Sequence, residues 1–493
     1  MTIQEWTAKI KNKDLFISSA FIDGGWVSAQ GGATFDVYEP STEEVLGKVA
    51  NLNRDDIKRA IVSADAAQRE FYKTSTAAGR SLLLRKWNDA ILANADDLAT
   101  ILCLENGKTF LEAKGEITYA ASFVSWFSEE ATRAYGETIP SSYANTTVLT
   151  LKQPVGTCAI ITPWNFPAAM ITRKVAPALA VGCSVVIKPP SETPFTCLAL
   201  TKLAVDVGIP AGVIQVVPTK DREAATELAT NPLIRKLSFT GSTGVGKMLT
   251  KLAAGTMKKV SMELGGNAPF IVFEDADLDL AAEAAMFCKF RCSGQTCVCA
   301  NRLLVHKSIA PAFTAKLVKL VNALKLGSGM NPSTTIGPLV NRSGVTKVAK
   351  HIRDAVAKGA KIEAGGKEPS GPGFFHEPTV LSGVTADALV AIDETFGPLA
   401  PIFEFESEDE AVTMANATEF GLAGYFFSRD IGRVLRVAAA LECGMVGINT
   451  GKISAAEAPF GGIKESGVGR EGSLYGMAEY QIIKSVTIGN THL

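Results

Sequence analysis

From Gly156 onward, short continuous apolar runs alternate with stretches whose apolar positions recur at helical spacing. The pattern predicts strands at residues 157–162, 184–188, 213–217 and 237–239, with helices at 168–181 and 196–206 between them. A strand that is apolar throughout must be covered on both faces, and parallel strands joined by crossover helices meet that requirement. A second alternation begins after Glu263, with a strand at 269–273, a helix at 278–289, a strand at 303–305 and further segments up to 445–449. The fold class is therefore α/β: a Rossmann-like, doubly wound sheet of the dinucleotide-binding type, then a second α/β unit. In such sheets ligands gather at the carboxyl ends of the strands. Trp164, Asn165, Lys188, Gly241 and Ser242 all follow predicted strands.

Bulk properties narrow the partners. A chain of 493 residues is too long for one small core and implies two or more domains. Its 49 lysines and arginines nearly balance 50 aspartates and glutamates, so no broad charged surface for nucleic acid or anionic membrane is implied. The longest apolar stretches break before membrane-span length, and a small, locally bound substrate fits better. Residues 1–16 carry Glu5 and Asp14 among their lysines and lack an export or import signal, which makes the cytoplasm the default. Thr491-His492-Leu493 only loosely matches the Ser-Lys-Leu peroxisomal signal. Nine scattered cysteines argue for reduced thiols rather than a disulfide framework. Four of them, Cys288, Cys292, Cys297 and Cys299, fall close together, but without paired C-x2-C knuckles or a nearby histidine they do not read as a metal site.

Chemistry concentrates in Phe290-Arg291-Cys292-Ser293-Gly294-Gln295-Thr296-Cys297-Val298-Cys299. This stretch is too polar and glycine-broken for a core helix, and it can present a nucleophilic thiol. Such a thiol needs a base to clear a covalent intermediate. Glu263, in Ser261-Met262-Glu263-Leu264-Gly265-Gly266, has apolar neighbours that would raise its pKa, and glycines that allow close backbone approach. Gly241-Ser242-Thr243-Gly244-Val245-Gly246-Lys247 has the glycine and lysine spacing of a nucleotide-triphosphate loop. The next residue is Met248, however, where magnesium ligation needs Ser or Thr. The loop can still offer its amides and the Ser242 hydroxyl to a pyrophosphate at a helix start.

Glu263-Leu264-Gly265-Gly266 followed by Gly294-Gln295-Thr296-Cys297 resembles the paired signature of the aldehyde dehydrogenase superfamily. Thr162-Pro163-Trp164-Asn165-Phe166-Pro167, Phe239-Thr240-Gly241-Ser242, Glu394-Thr395-Phe396-Gly397-Pro398 and Pro459-Phe460-Gly461-Gly462 are similar to further motifs of that family, in the same order. Lys289-Phe290-Arg291 and Met170-Ile171-Thr172-Arg173-Lys174 most resemble the succinate-semialdehyde dehydrogenases within it.

The resemblance implies Cys297 as nucleophile, Glu263 as base, and Asn165 with the Cys297 amide as oxyanion donors. It implies Arg173 and Arg291, with Ser454 as a further donor, around the distal carboxylate of a semialdehyde. Thr162, Pro163, Trp164, Lys188, Ser191, Gly241, Ser242, Leu264, Glu394 and Phe396 would line the cofactor site. Ser191, three residues after Lys188, leaves room for a 2′-phosphate and points to NADP, with NAD as the alternative. Glu192 beside it could restore NAD preference. Lys220 and Arg222 read either as phosphate contacts or as solvated charges. Cys299 reads either as a redox partner of Cys297 or as a small packed residue. The implied domains are residues 1–131 and 155–265 for the dinucleotide, and 266–450 for catalysis. Residues 132–154 and 480–493 form an oligomerisation flap, whose β-branched edge strands imply a homodimer or homotetramer. Residues 451–479 are a substrate and interdomain loop. Within this family another substrate, such as glutarate semialdehyde, remains open, as does a non-catalytic binding role on the same fold.

Overall fold

The computed structural model describes residues 3–491. His492 and Leu493, the end of both the Thr491-His492-Leu493 motif and the 480–493 segment, lie outside the described residues. Five parallel strands run Thr157–Ile161, Ser184–Lys188, Ile214–Val216, Ile234–Thr240 and Lys259–Glu263. In space they stand third, second, first, fourth, fifth. The order reverses between Thr157–Ile161 and Ile234–Thr240, which opens a crevice at the carboxyl ends of those two strands. The N-terminal hairpin, Ala20–Ile22 with Gly25–Val27, extends the sheet antiparallel beyond Ile214–Val216.

The helix Ala169–Val181 is buried at every position, because it lies between this sheet and a helical layer that includes Phe110–Glu130. It stops at Gly182, whose φ of 94° suits glycine, and whose missing Cβ would otherwise stand 2.8 Å from the Tyr72 ring. The predicted elements of this unit recur with bounds moved by a residue or so, apart from 237–239. There the strand is longer, Ile234–Thr240, because its polar Lys236 and Ser238 are buried and bonded, Lys236 to Ser261 and Ser238 to Lys174. Burial of paired polar groups hides a strand from an apolar pattern.

The second unit is a seven-stranded sheet ordered Lys361–Ala364, Thr379–Ser382, Leu399–Phe405, Ala300–His306, Ala268–Val272, Ala423–Phe427, Met445–Ile448. Only its Lys361–Ala364 edge is antiparallel. Separate apolar clusters cover its two faces. A third sheet pairs Gln481–Gly489 with Thr146–Pro154 along nine residues and adds Thr138–Ile139. The chain also returns to the first sheet: Gly467–Val468 pairs antiparallel with Met262 and Glu263. Among the described residues no helix is long and apolar enough to cross a membrane.

Candidate active site

The helix Leu278–Phe290 ends in a tight turn, Arg291–Gly294, where Cys292 (φ 51°), Ser293 (φ 55°) and Gly294 (φ 74°) are all left-handed. Two non-glycine residues in that region cost energy, and the surroundings hold them there. The Cys292 amide donates to Glu112 Oε1 at 2.8 Å, and the Ser293 hydroxyl donates to the Gly337 carbonyl at 2.7 Å. A Cβ on Gly294 would stand 2.2 Å from the Gly397 carbonyl. Gln295 braces the turn, with Nε2 donating to the Cys292 carbonyl and Oε1 accepting from the Val340 amide. The chain then emerges with Cys297 partly exposed. The loop after Glu263 meets it closely, since a Cβ on Gly266 would come 2.3 Å from the Cys297 carbonyl oxygen.

Cys297 faces two cavities. The larger, about 240 Å³, lies at the reversal point of the first sheet and is lined by Pro163, Trp164, Asn165, Gly241, Ser242, Leu264, Glu394 and Phe396, with Lys347. Trp164 and Phe396 meet edge to face, with centroids 5.5 Å apart. Ser242 precedes the helix Thr243–Ala253 with its side chain making no capping bond, so its hydroxyl is available to a ligand at the helix start. Two buried hydroxyls at the same strand ends, on Thr162 and Thr240, have no hydrogen-bond partner among the described residues. An open helix terminus, orphaned hydroxyls and an aromatic wall fit a dinucleotide.

The smaller cavity, about 20 Å³, is lined by Tyr119, Phe166, Met170, Arg173, Arg291, Thr296, Val298, Ser454 and Phe460 as well as Cys297. The two arginines differ. Arg173 is buried, pairs with Glu471 through Nε, and lies 4.3 Å from the centre of the Phe460 ring, while its Nη2 has no hydrogen-bond partner among the described residues. Arg291 lies against the rings of Phe287 and Phe166, at 4.8 and 5.2 Å, and forms no ion pair among the described residues.

Electrostatics sort the acids and thiols. Burial pushes the Glu263 carboxyl well above its usual range, reinforced by the Glu471 charge and opposed by Arg173 and Lys174. Both its oxygens lack hydrogen-bond partners among the described residues. Burial pushes the Cys297 thiol up to about 12; Arg173 opposes this, and Glu263 adds to it. Burial raises Glu394 to about 7, against one bond from the Gly266 amide at 3.0 Å. Asn165 is buried, donating through Nδ2 to the Gln295 carbonyl at 2.9 Å. Nδ2 carries a second hydrogen, and the Cys297 amide donates to no other residue's carbonyl among the described residues.

The other predicted residues fall farther out. Lys188 is half-buried and donates to the Pro189 carbonyl; burial lowers its pKa. Ser191 lines a neighbouring cavity of about 130 Å³ with Glu192 and Lys220, and its hydroxyl donates to Glu192 Oε2 at 3.2 Å. Cys299 is fully buried, its thiol turned to the Lys289 carbonyl. Among the described residues no group of three or more His, Cys, Asp or Glu is placed to hold a metal ion. Sequence reasoning missed Lys347, Tyr119 and Glu471. Nothing local marks Lys347 on the exposed face of its helix, and Glu471 meets its partners Arg173 and Lys174 from some 300 positions away.

The aldehyde dehydrogenase family model matches residues 26–486. A glutarate-semialdehyde dehydrogenase of Pseudomonas aeruginosa is 53% identical over 98% of this chain and 99% of its own. A succinate-semialdehyde dehydrogenase (NADP(+)) of Escherichia coli K12 is 52% identical over 98% and 100%. The crystal structure of succinate-semialdehyde dehydrogenase from Burkholderia pseudomallei superposes with a TM-score of 0.96 at 54% identity, covering 98% of this chain and all of that one. The chain belongs to the aldehyde dehydrogenase family, whose members are NAD(P)-dependent oxidoreductases.

Proposed function

We propose that the chain oxidises succinate semialdehyde to succinate, with NADP as preferred cofactor and NAD as the alternative. The observation that carries the substrate class is the unpaired Arg291 in the cavity that Cys297 faces, with the free Nη2 of Arg173 and Ser454 beside it. A guanidinium fork suits a carboxylate, and a cavity this small favours a short chain between aldehyde and carboxylate. The glutarate-semialdehyde relative supports a second reading with one more methylene.

In this reading the Cys297 thiolate adds to the aldehyde carbon. The second hydrogen of Asn165 Nδ2 and the Cys297 amide donate to the oxygen that gains charge. Oxidation of the adduct to a thioester on Cys297 needs a hydride acceptor, which a bound nicotinamide would supply. Glu394, Phe396, Trp164, Gly241 and Ser242 would hold the dinucleotide, and Ser191 with Lys188 would admit the 2′-phosphate. Glu263, its carboxyl held above its usual range by burial, accepts a proton from the water that hydrolyses the thioester, releasing succinate and the thiol. The apolar side chains that the flap exposes, among them Ile482, Ile483 and Ile488, support a homodimer or homotetramer.

Specificity constants for succinate semialdehyde, glutarate semialdehyde and butanal, each with NADP and NAD, test the reading. Succinate semialdehyde with NADP should lead. A lead for butanal would remove the carboxylate from the argument, and a lead for glutarate semialdehyde would select the longer substrate.

A further inference from the structure

Lys108 lines neither cavity at Cys297, yet it is bonded to the residue that faces the nucleophile. It sits in the turn between the helices Ala95–Asn106 and Phe110–Glu130, with its side chain 1% exposed. Its ammonium donates to Glu116 Oε2 at 2.5 Å and to the main-chain carbonyl of Asn165 at 2.7 Å, and stands 4.0 Å from the centre of the Phe166 ring. The neighbouring peptide is held from the same turn: Asn106 Nδ2 donates to the Trp164 carbonyl at 2.8 Å. Glu116 uses its other oxygen to accept from the Ala168 and Ala169 amides at 2.8 and 3.3 Å, which fixes the start of the next helix. The Cys292 thiol also turns toward the Asn165 carbonyl, at 3.6 Å.

The turn itself has no room to shift. Gly107 takes a φ of 88°, and Gly329, from the second unit, packs so tightly that a Cβ there would stand 2.2 Å from the Lys108 carbonyl. The Asn165 backbone is thus clamped between a buried ammonium on one side and a helix start on the other. Asn165 Nδ2 can meet a developing oxyanion only if that backbone holds still. A donor misplaced by a fraction of an ångström forfeits most of its benefit in the transition state.

We propose that Lys108 is a positioning residue for the oxyanion donor: through Glu116 and the Asn165 carbonyl it holds the Asn165 side chain in register with Cys297. This rests on the reading of Asn165 as an oxyanion donor. Because Lys108 is paired with Glu116, the two together bring no net charge to the site, and neither lines the cofactor or substrate cavity. Its loss should therefore act on the rate of the chemical step, not on binding.

The test is a double-mutant cycle in the full-length enzyme, with the rate of the first turnover of NADPH formation as the readout. Lys108→Met should slow that step by about tenfold or more, a part of the loss of about 10²–10³ expected on removing Asn165 itself. The dissociation constant for NADP and the KM for succinate semialdehyde should stay within about twofold. In an Asn165→Ala background the same Lys108→Met change should cost almost nothing, because the donor it positions is gone. The Lys108→Met, Glu116→Gln pair leaves no buried unpaired carboxylate, so it keeps the test open if the single variant does not fold, and it should show the same dependence on Asn165. Equal losses in both backgrounds, or a loss in KM with the first turnover unchanged, would overturn the proposal and leave Lys108 a fold-stabilising ion pair. A full-rate Asn165→Ala enzyme would instead remove the oxyanion reading, and the proposal with it.

Discussion

The two cavities that meet at Cys297 are built by different means. The larger is made by strand ends: the reversal of strand order opens it, a helix start and a glycine turn line it, and small hydroxyls join Asn165, Glu394 and Lys347 in its polar lining. The smaller is made by side chains from four distant stretches: Tyr119, Phe166 to Arg173, Arg291 to Val298, and Ser454 to Phe460. A surface set by topology suits a ligand common to many enzymes. A surface set by individual side chains can change its ligand by single substitutions, which is where substrate choice belongs.

The sharpest way to break that division is at the shared residue. Cys297→Ala should abolish dehydrogenase turnover while leaving the affinity for NADP near normal, since the thiol would form the covalent bond and every other residue lining the larger cavity stays in place. Titrating NADP against the inactive variant checks it, and substantial residual turnover would reassign the nucleophile. Next in size is Arg291→Ala, which should lower kcat/KM for succinate semialdehyde by about ten- to a hundredfold, the worth of a charge-assisted bond of about 1.5–3 kcal/mol. Butanal should be little affected. Arg173→Ala should discriminate less between the two substrates and lower thermal stability more, because it takes a cation from the buried Glu471. Equal losses for both aldehydes in the Arg291 variant would make that arginine structural.

On the larger cavity's side, Ser191→Glu should move preference from NADP toward NAD, because a carboxylate repels a 2′-phosphate and accepts bonds from free ribose hydroxyls. The Ser191–Glu192 hydrogen bond makes the shift smaller than at a site with no acid nearby. A natural enzyme that already rejects NADP would make Glu192 the residue that reads the ribose.

The smallest effect is on stability. The folded-state pKa of Glu263 lies above its unfolded value, so the folded protein binds the extra proton, and stability falls as pH rises from the unfolded pKa through the folded one. Glu263→Gln removes that penalty. Its melting temperature should exceed that of the natural protein at alkaline pH, where the natural carboxyl must ionise without a partner, and converge with it below about pH 4.5. A constant difference across that window would place the effect elsewhere.

The sheets were legible because their strands are apolar throughout and bounded by Gly and Pro, as at Thr157–Ile161 and Ser184–Lys188. Ile234–Thr240 was seen only in part, since Lys236 and Ser238 are polar yet buried among partners that lie far along the chain. Gly467–Val468 gives no pattern at all, two residues with a glycine, yet it lies against Glu263. The same distinction holds in the site. Cys297, Glu263 and Asn165 sit in compact motifs that resemblance reaches. Lys108, Lys347 and Glu471 reach the site from stretches far along the chain, and no local spacing announces them.

If a carboxylated aldehyde is oxidised on Cys297 and released by Glu263, removing the base should trap the acyl group on the thiol. Glu263→Gln enzyme is mixed with succinate semialdehyde and NADP, and the adduct is mapped by peptide mass spectrometry. A burst of NADPH followed by a stall, with a succinyl group on Cys297, is the predicted result. A burst without an adduct, steady turnover without a stall, or a succinyl group on Cys292 or Cys299 instead would contradict it.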